Sequence, residues 1–459
     1  MQLNMRGSTL SFRLRWLFLV LVAGQVIFSG CSPQNTLKGV FKKQSPYEKY
    51  QSSLKDAKLD QTALGQQWLT AGQQALRQPV TVSLPFKETG YFPADKPLAA
   101  GYQFTVKKGQ KVAVRVQTQG KEVPQVFLNL FEADPENPAQ PRQVAYADTT
   151  AQSLEYEIDE ELPHLLRLQP ELLRSGQYTV TIETMPILAF PVKGKDSRAV
   201  QSFWGQDRDA GARRHEGIDI FAPRNTPVVA AVEGVVSRVN TTPIGGKVVW
   251  LSDTKRQQSL YYAHLDSQLV QPGQRVSIGD TLGLLGNTGN AITTAPHLHF
   301  GIYQFGRGAV DPYPYVHQDR TKPADLKVDE KKLGDWARVA KAKVALRSAP
   351  ASSAQALLTL PQHAPLQVLA GSATWYRVML PDGQQGYIAA SMVEALDRPL
   401  QAVKLRREAP LLDASTELAA TQKNLPPDTT VRVLAKQEAF WLVKDTEGTT
   451  GWIPVEAAR

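Results

Sequence analysis

The sequence predicts a mainly β, multidomain protein, on the basis of its length, its strand-like runs and an internal repeat. A chain of 459 residues is long enough for several domains. Apolar and polar residues alternate with period two in runs such as Lys111–Val116 and Gln177–Ile182, which is typical of half-buried strands. We expect a β-sandwich, an antiparallel β domain with an open groove, two small barrels and a short helical segment near the N-terminus.

Residues 1–31 have the pattern of a secretory signal peptide. Three arginines precede an apolar run over residues 16–28, and two small residues then lead to Cys31. The apolar run is shorter than the roughly 20 residues that a membrane span needs. Cys31 is the only cysteine, so a disulfide within one chain is excluded.

The segment Phe-Ser-Gly-Cys that ends at Cys31 resembles the lipobox of bacterial lipoproteins. This resemblance implies that the chain is cleaved before Cys31 and that this cysteine is acylated, which anchors the protein to a membrane. Ser32, rather than aspartate, follows the cysteine. In a Gram-negative host this implies the outer membrane, with the protein facing the periplasm. The alternative is an ordinary signal peptide with an incidental cysteine.

Three segments follow before the next motif. Residues 32–46 are polar and predict a linker. Residues 47–79 carry leucine and tryptophan at three- to five-residue steps up to Pro79, which predicts a helix or a helix pair. Residues 80–186 alternate with period two between turn residues and predict a β-sandwich of jelly-roll type, the accessory domain. It is a spacer, a binding surface or a cover for a neighbouring site.

Five polar side chains over residues 187–320 have the types and spacing of a metal hydrolase site. The five residues are His215, Asp219, His264, His297 and His299. The first two lie where a glycine-containing loop enters a strand. His297 and His299 are two apart in a strand-like run, so both point to one face. Imidazole nitrogen and carboxylate oxygen both suit zinc, and a catalytic zinc site takes three protein ligands.

These residues resemble the lysostaphin-type murein endopeptidases, zinc enzymes that cut peptides of bacterial cell walls. The matching segments are Arg214–Pro223, Thr226–Val236, Tyr262–Leu265, Gly273–Val276, Gly283–Gly289 and Pro296–Phe300. The resemblance implies one Zn²⁺ per chain, bound by His215, Asp219 and His299, with His264 and His297 as catalytic residues. It also implies hydrolysis of peptidoglycan peptide bonds by a zinc-activated water. The sequence does not indicate which of the two catalytic histidines is the general acid or base.

The C-terminal region contains an internal repeat, with units at residues 334–397 and 398–459. Leu346-Arg-Ser-Ala-Pro350 recurs as Leu405-Arg-Arg-Glu-Ala-Pro410, and Trp375 corresponds to Trp441. The units resemble paired bacterial SH3-like barrels, which often bind cell-wall peptides. Trp375, Trp441 and Trp452 are candidates for stacking on a ligand, although aromatic residues in so small a barrel are usually core.

The net charge of +9 favours anionic partners, and the stem peptides of peptidoglycan carry carboxylates. Arg213 and Arg214, next to His215, are candidates for binding such a carboxylate. No nucleic-acid motif occurs, and the basic residues are spread along the chain, so nucleic acid is excluded as a partner. Two other functions stay open: a non-enzymatic scaffold or amidase activator that binds the wall, and a zinc peptidase that acts on proteins.

Overall fold

The structure, a computed structural model, describes residues 43–120, 124–134, 136–137, 139–148, 151–208 and 211–458. The predicted signal peptide, the candidate lipidation residue Cys31 and most of the predicted linker lie outside these ranges. Within the described part of the chain, no helix is both long and apolar enough to cross a membrane.

Two helices open the described chain, as the leucine and tryptophan spacing predicted. They are α1 (Pro46–Asp56) and α2 (Ala63–Arg77). A capping box between Ser45 and Glu48 begins α1, because each side chain accepts from the backbone of the other residue. Trp68 of α2 is almost completely buried, and its indole N–H donates to the Pro170 carbonyl at 2.8 Å. The helix pair therefore packs against the accessory domain.

The accessory domain is a sandwich of two sheets with a shared apolar core. Its strands are β1 (Val80–Thr81), β2 (Phe86–Phe92), β3 (Ala100–Thr105), β4 (Gln110–Gln119), β5 (Val126–Glu132), β6 (Arg142–Tyr146), β7 (Ser153–Glu157), β8 (Pro163–Pro170) and β9 (Gly176–Pro186). One sheet has the order β1-β3-β8-β5-β6, and the other contains β2-β9-β4-β7. Alternate side chains of both sheets face inward, which explains the period-two pattern.

The next domain is a sheet in which the described strand pairs are antiparallel, as predicted. Its elements are β10 (Val200–Ser202), β11 (Asp207–Arg208), β12 (Arg213–Arg214), β13 (Ile218–Phe221), β14 (Pro227–Val229), β15 (Gly234–Thr242), β16 (Gly246–Asp253), β17 (Gln258–Gln268), β18 (Arg275–Val276), β19 (Thr281–Leu285), β20 (His297–Gln304), β21 (Gly308–Val310) and helix α3 (Tyr313–Val316). The main order is β10-β13-β20-β17-β16-β15-β18, and β11 pairs with β12 as a separate hairpin.

The two C-terminal repeats fold into similar sets of short strands. The first contains β22 (Trp336–Val339), β23 (Val344–Arg347), β24 (Ala356–Leu360), β25 (Pro365–Ser372), β26 (Trp375–Met379), β27 (Gln385–Ala389) and β28 (Val393–Ala395). The second contains β29 (Gln401–Lys404), β30 (Ala409–Leu412), β31 (Thr421–Leu425), β32 (Thr430–Lys436), β33 (Phe440–Lys444) and β34 (Thr450–Pro454).

Among the strands that the structure describes, the pairing closes neither repeat into a full barrel. The second repeat is an open ladder with the order β29-β32-β33-β34-β30-β31. In the first repeat, the outer edge of β25 is divided between two partners. Its first half pairs with β22, and its second half pairs with β2 of the accessory domain. The first repeat therefore extends the accessory sheet instead of closing on itself.

A buried charge network lies at this junction. The carboxylate of Glu88 on β2 accepts from the Arg377 guanidinium on β26, with Nε at 3.1 Å from Oε1. The hydroxyls of Tyr102 and Tyr387 donate to the same carboxylate at 2.6 and 3.0 Å. Arg377 also donates to the Tyr178 hydroxyl at 2.9 Å. The side chains of Glu88 and Arg377 are 0% and 3% exposed, so each charge depends on the other for compensation.

The accessory domain also contacts the preceding sheet domain. Glu157 at the end of β7 pairs with Arg256 in the β16–β17 turn, with 2.8 Å between Oε1 and Nη2. Lys108 donates to the side chain of Gln304, the last residue of β20, at 3.2 Å. At a strand rise of about 3.3 Å per residue, this contact is roughly 17 Å along β20 from His299. The accessory domain thus holds the end of the sheet that is remote from the five candidate site residues.

We expect the Glu88→Gln variant to be strongly destabilised, because it leaves the Arg377 guanidinium buried without a carboxylate. Removal of one partner of a buried pair costs about 3–5 kcal/mol. Thermal unfolding followed by near-UV circular dichroism should show a first unfolding transition at a lower temperature than in the wild-type chain. As a control, Asp428→Asn removes the exposed pair with Lys404 and should change this transition little. An unchanged transition in Glu88→Gln would contradict the role given to this network.

Candidate metal centre

Strand register brings four of the five candidate residues to one end of the sheet. The central strand β20 pairs with β13 on one side and with β17 on the other. Asp219 lies directly opposite His299, and Ala263, the neighbour of His264, lies opposite His299 on the other side. Leu298 between the two histidines of β20 is buried in the core, as the strand periodicity predicted.

The fifth residue, His215, lies just before β13 in a tight loop. Its backbone N–H and carbonyl are bonded to Gln206 and Gly205 of the preceding turn, at 2.8 and 2.9 Å. Gly217 then passes close to β20. A Cβ at this position would lie 2.6 Å from the Phe300 carbonyl oxygen and 2.7 Å from the His299 ring. Only glycine therefore allows this loop to approach β20 closely enough to place His215 beside His299.

Three potential ligand atoms converge at this point. Nε2 of His215, Oδ1 of Asp219 and Nδ1 of His299 lie 3.0 Å from one another. In a tetrahedral zinc site with bonds of about 2.0–2.1 Å, ligand atoms lie about 3.3 Å apart. Within the described residues, no other cluster of His, Cys, Asp and Glu has this form.

The hydrogen-bond pattern fits a cation at this position. Nδ1 of His215 lies 2.9 Å from the Phe203 carbonyl, which can only accept. In the neutral ring, Nδ1 therefore carries the proton and Nε2 presents a lone pair. That lone pair faces the Asp219 carboxylate oxygen, so two acceptors lie 3.0 Å apart. A positive charge, either a proton or a metal ion, is needed to make this arrangement favourable.

The electrostatics of Asp219 favour its ionised form. Burial by itself raises the pKa of this carboxyl group, but the hydrogen bonds that His215 and His299 donate in their protonated forms outweigh burial and hold the pKa well below its ordinary value. The second oxygen, Oδ2, accepts from the Arg208 guanidinium at 2.7 Å. Sequence reasoning missed Arg208, because its contact arises from the β11–β12 hairpin and not from spacing along a strand.

His264 and His297 lie next to the three converging atoms. Their ring centroids are 5.0 Å apart, and the His264 ring is 6.0 Å from that of His299. Nδ1 of His264 donates to the Thr288 carbonyl and Nδ1 of His297 donates to the Ala295 carbonyl, both at 2.8 Å. The neutral form of each ring therefore has an unprotonated Nε2. Burial, together with the nearby His297 and His299, lowers the pKa of His264 to about 4.

His264 also has an unusual backbone. Its φ is +63°, a left-handed conformation that residues other than glycine rarely adopt. Its N–H donates to the Gly245 carbonyl at 2.8 Å, outside the regular ladder. This local strain turns the side chain out of the strand alternation, and such strain is common at functional sites. A strand-like run alone could not have revealed it.

An aromatic row extends from the site across the same sheet. The row consists of Tyr261, Trp250 and Tyr303. The Tyr261 ring lies 5.9 Å from the His299 ring, and the Trp250 ring lies 4.5 Å from Tyr261 and 5.2 Å from Tyr303. All three side chains are half-buried and pack on one another. The row forms an apolar surface that begins at the metal-ligand cluster.

The other residues singled out by sequence lie around or away from the site. Arg213 and Arg214 are exposed on β12, next to His215. Glu216 is exposed, and its carboxylate accepts from the Tyr303 hydroxyl at 3.4 Å. The remaining described histidines are outside the cluster: they are His164 in the accessory sandwich, His317 after α3 and His363 in the first repeat.

The three tryptophans that were candidates for stacking on a ligand, Trp375, Trp441 and Trp452, are largely occupied by contacts within the protein. Trp452 is 2% exposed and meets Trp336 edge-on, with 5.4 Å between centroids, so it joins the two repeats. Trp375 packs against the core of the accessory domain. Trp441 is half-buried, with the Lys436 ammonium 5.1 Å from its ring centroid.

Comparison with known proteins matches two regions of the chain to protein families. Residues 213–312 match Peptidase family M23, and residues 342–394 match the bacterial SH3 domain. The catalytic domain of lysostaphin from Staphylococcus simulans is a solved structure with 30% identity. The match covers 25% of this chain and 90% of that chain, with a TM-score of 0.23.

Several curated relatives are similar to part of this chain. The L-Ala–D-Glu endopeptidase of Bacillus subtilis is 35% identical over 139 residues, which is 28% of this chain and 42% of the relative. The peptidoglycan DD-endopeptidase ShyC of Vibrio cholerae is 40% identical over 91 residues, 19% of this chain and 20% of the relative. The glycyl-glycine endopeptidase ALE-1 of Staphylococcus capitis is 35% identical over 106 residues, 22% of this chain and 29% of the relative.

The chain spans less than half the length of each of these relatives. Residues 213–312, which match Peptidase family M23, include the residues that form the cluster of converging ligand atoms. This chain therefore contains a domain of peptidase family M23, followed by a bacterial SH3 domain.

Proposed function

We propose that this protein is a zinc metalloendopeptidase that hydrolyses peptide bonds of peptidoglycan. The observation that carries the proposal is the convergence of His215, Asp219 and His299 on one point, with two further histidines beside it. The relatives are named for different peptide bonds, an L-Ala–D-Glu, a DD and a glycyl-glycine bond. The proposal therefore extends to peptide hydrolysis in the wall and not to one particular bond.

His215, Asp219 and His299 would hold one zinc ion. A zinc ion bound there supplies a Lewis acid and lowers the pKa of bound water towards about 7. His264 and His297 would move protons, because each keeps Nδ1 bound to a backbone carbonyl and offers Nε2 to the reacting groups. The low pKa of His264 keeps this ring neutral at pH 7, so its Nε2 carries a lone pair.

The surroundings of the site suit a peptide that carries carboxylates. The row of Tyr261, Trp250 and Tyr303 offers an apolar surface next to the ligands. Arg213 and Arg214 are exposed on the hairpin beside His215 and can attract a substrate carboxylate.

The other segments would locate the enzyme in the cell envelope. The signal sequence and Cys31 support a lipid anchor, and Ser32 supports the outer membrane of a Gram-negative cell, facing the periplasm. We assign residues 187–320 to the peptidase and residues 80–186 to the accessory domain. Residues 334–397 and 398–459 are assigned to two SH3-like units. Because the accessory domain holds the remote end of the peptidase sheet, we assign it a spacing role and not an inhibitory one.

Purified protein should release new muropeptides from murein sacculi, and a chelator should abolish this release. Asp219→Ala removes one ligand, so we expect zinc far below one ion per chain and no release. Zinc is measured by plasma mass spectrometry and muropeptides by chromatography. Normal zinc content without new muropeptides would contradict the enzyme and support a wall-binding scaffold. Cleavage of protein substrates alone would support a protein peptidase.

His297→Ala should keep zinc but lose turnover, because this ring contributes proton transfer and no ligand atom. Loss of a general acid or base lowers turnover by about 10²–10⁴-fold. Zinc content and muropeptide release are measured on the same preparation. His363→Asn is the matched control, since His363 lies in the first repeat and asparagine tolerates its φ of +68°. Full turnover in His297→Ala would remove this residue from the catalytic set.

Cys31→Ser should release the protein from membranes, because serine offers no thiol for acylation. Fractionation of cells that express each form, followed by immunoblotting, measures the membrane-bound share. The wild-type chain is expected in the outer-membrane fraction and the variant in the soluble periplasmic fraction. Continued membrane association of the variant would refute the lipid anchor.

A further inference from the structure

We propose that Arg208 is a positioning residue for the metal centre, which orients the Asp219 carboxylate and tunes the affinity of the site for zinc. The inference rests on the proposed function in one respect, namely that Asp219 is a zinc ligand. It assigns a role to a residue that the spacing of the histidines does not indicate.

The two oxygens of Asp219 have different partners. Oδ1 faces His215 Nε2 and His299 Nδ1, at 3.0 Å from each. Oδ2 accepts from Nη2 of Arg208 at 2.7 Å, the length of a charge-assisted hydrogen bond. The guanidinium therefore occupies one oxygen and leaves the other for the ion. Rotation of the carboxylate, which would exchange the two oxygens, has to break this bond.

Arg208 is also linked to a second ligand. The same Nη2 donates to Oγ of Ser202, and this hydroxyl lies 3.3 Å from Nδ1 of His215. Ser202 pairs with Asp219 across β10 and β13. One guanidinium thus contacts Asp219 directly and reaches His215 through a single hydroxyl. Two of the three proposed ligands share this support.

The local fold fixes Arg208 at this position. It lies on β11, which pairs with β12, and His215 directly follows β12. One hairpin therefore supplies both the ligand and the supporting cation. The Asp219 side chain is 10% exposed and that of Arg208 is 33% exposed. The ion pair therefore lies at the edge of the site, where solvent screens it only in part.

The physical consequence is a preorganised carboxylate. A guanidinium is charged at every accessible pH, so its support does not depend on titration. Groups that bond to metal ligands from outside typically contribute 10- to 100-fold in metal affinity. A glutamine at position 208 keeps a donor of similar reach but lacks the charge, while lysine keeps the charge but lacks the planar fork.

The test compares Arg208→Gln and Arg208→Lys with the wild-type chain. Zinc affinity is measured by competition with a chromophoric chelator, and the Co²⁺-loaded proteins are examined by visible absorption. We expect the zinc dissociation constant of Arg208→Gln to rise about 10- to 100-fold, with a changed Co²⁺ spectrum. Arg208→Lys should show a smaller rise. The control is Arg198→Gln, since Arg198 is 81% exposed and pairs with Asp196 on the surface; this variant should bind zinc normally.

Each outcome decides between the two proposals. A wild-type chain that binds no zinc overturns the metal centre itself. Tight zinc binding in the wild type, with the same affinity and Co²⁺ spectrum in Arg208→Gln, overturns only the role of Arg208. If Arg208→Gln fails to fold, Arg208→Lys decides. A zinc affinity equal to that of the wild-type chain refutes the inference, and a weaker zinc affinity supports it.

Discussion

The position of β20 between β13 and β17 is the constraint on which the site depends. Register along these three strands sets Asp219 of β13 opposite His299. On the other side of β20, His299 lies opposite Ala263 of β17, and His264 is the next residue. A slip of one residue would turn His297 and His299 into the core and Leu298 into the groove. The buried side chains on the core face of β20 oppose such a slip. Core packing of the sheet therefore also fixes the geometry of the candidate metal centre.

Hydrogen bonds, burial and charge also shape the site, in addition to strand register. Each of His215, His264 and His297 has its Nδ1 near a backbone carbonyl, so that Nε2 is the nitrogen without a proton in the neutral form of each ring. Burial lowers the pKa of His264, and positive charge on His215 and His299 holds the pKa of Asp219 low. Without that charge, the Asp219 carboxylate faces the lone pair of His215 Nε2. The site is thus a set of acceptors around one point. Such a set is stable only when a cation compensates it, which is the physical reason to assign a metal ion to it.

The accessory domain contacts both the first repeat and the sheet that carries the candidate metal centre, so the domains are not independent modules. Strand β25 of the first repeat extends the accessory sheet, and the buried pair of Glu88 and Arg377 links the two units. On its other side, the accessory domain holds the turn and strand end of the peptidase sheet that lie farthest from His299. It therefore separates the SH3-like repeats from the groove. This arrangement supports a fixed distance between the two repeats and the candidate metal centre.

Much of the fold could be predicted from the sequence, because periodicity and turn residues act locally. Period-two runs indicated the strands, leucine spacing indicated the helix pair, and the alternation of His297, Leu298 and His299 showed which side chains share a face. The types and spacing of the five candidate site residues also pointed to a metal hydrolase. Each of these signals lies within a few residues of the chain, where local sterics and burial decide the outcome.

Other features were decided only by tertiary structure. The contact of Arg208 with Asp219 depends on a hairpin folding over a separate strand. The left-handed backbone of His264 depends on a loop that receives its N–H. Part of the edge of β25 in the first repeat pairs with β2, which lies nearly 280 residues earlier in the chain. Such contacts join distant residues whose meeting depends on the packed whole, and no local pattern of residue types encodes them.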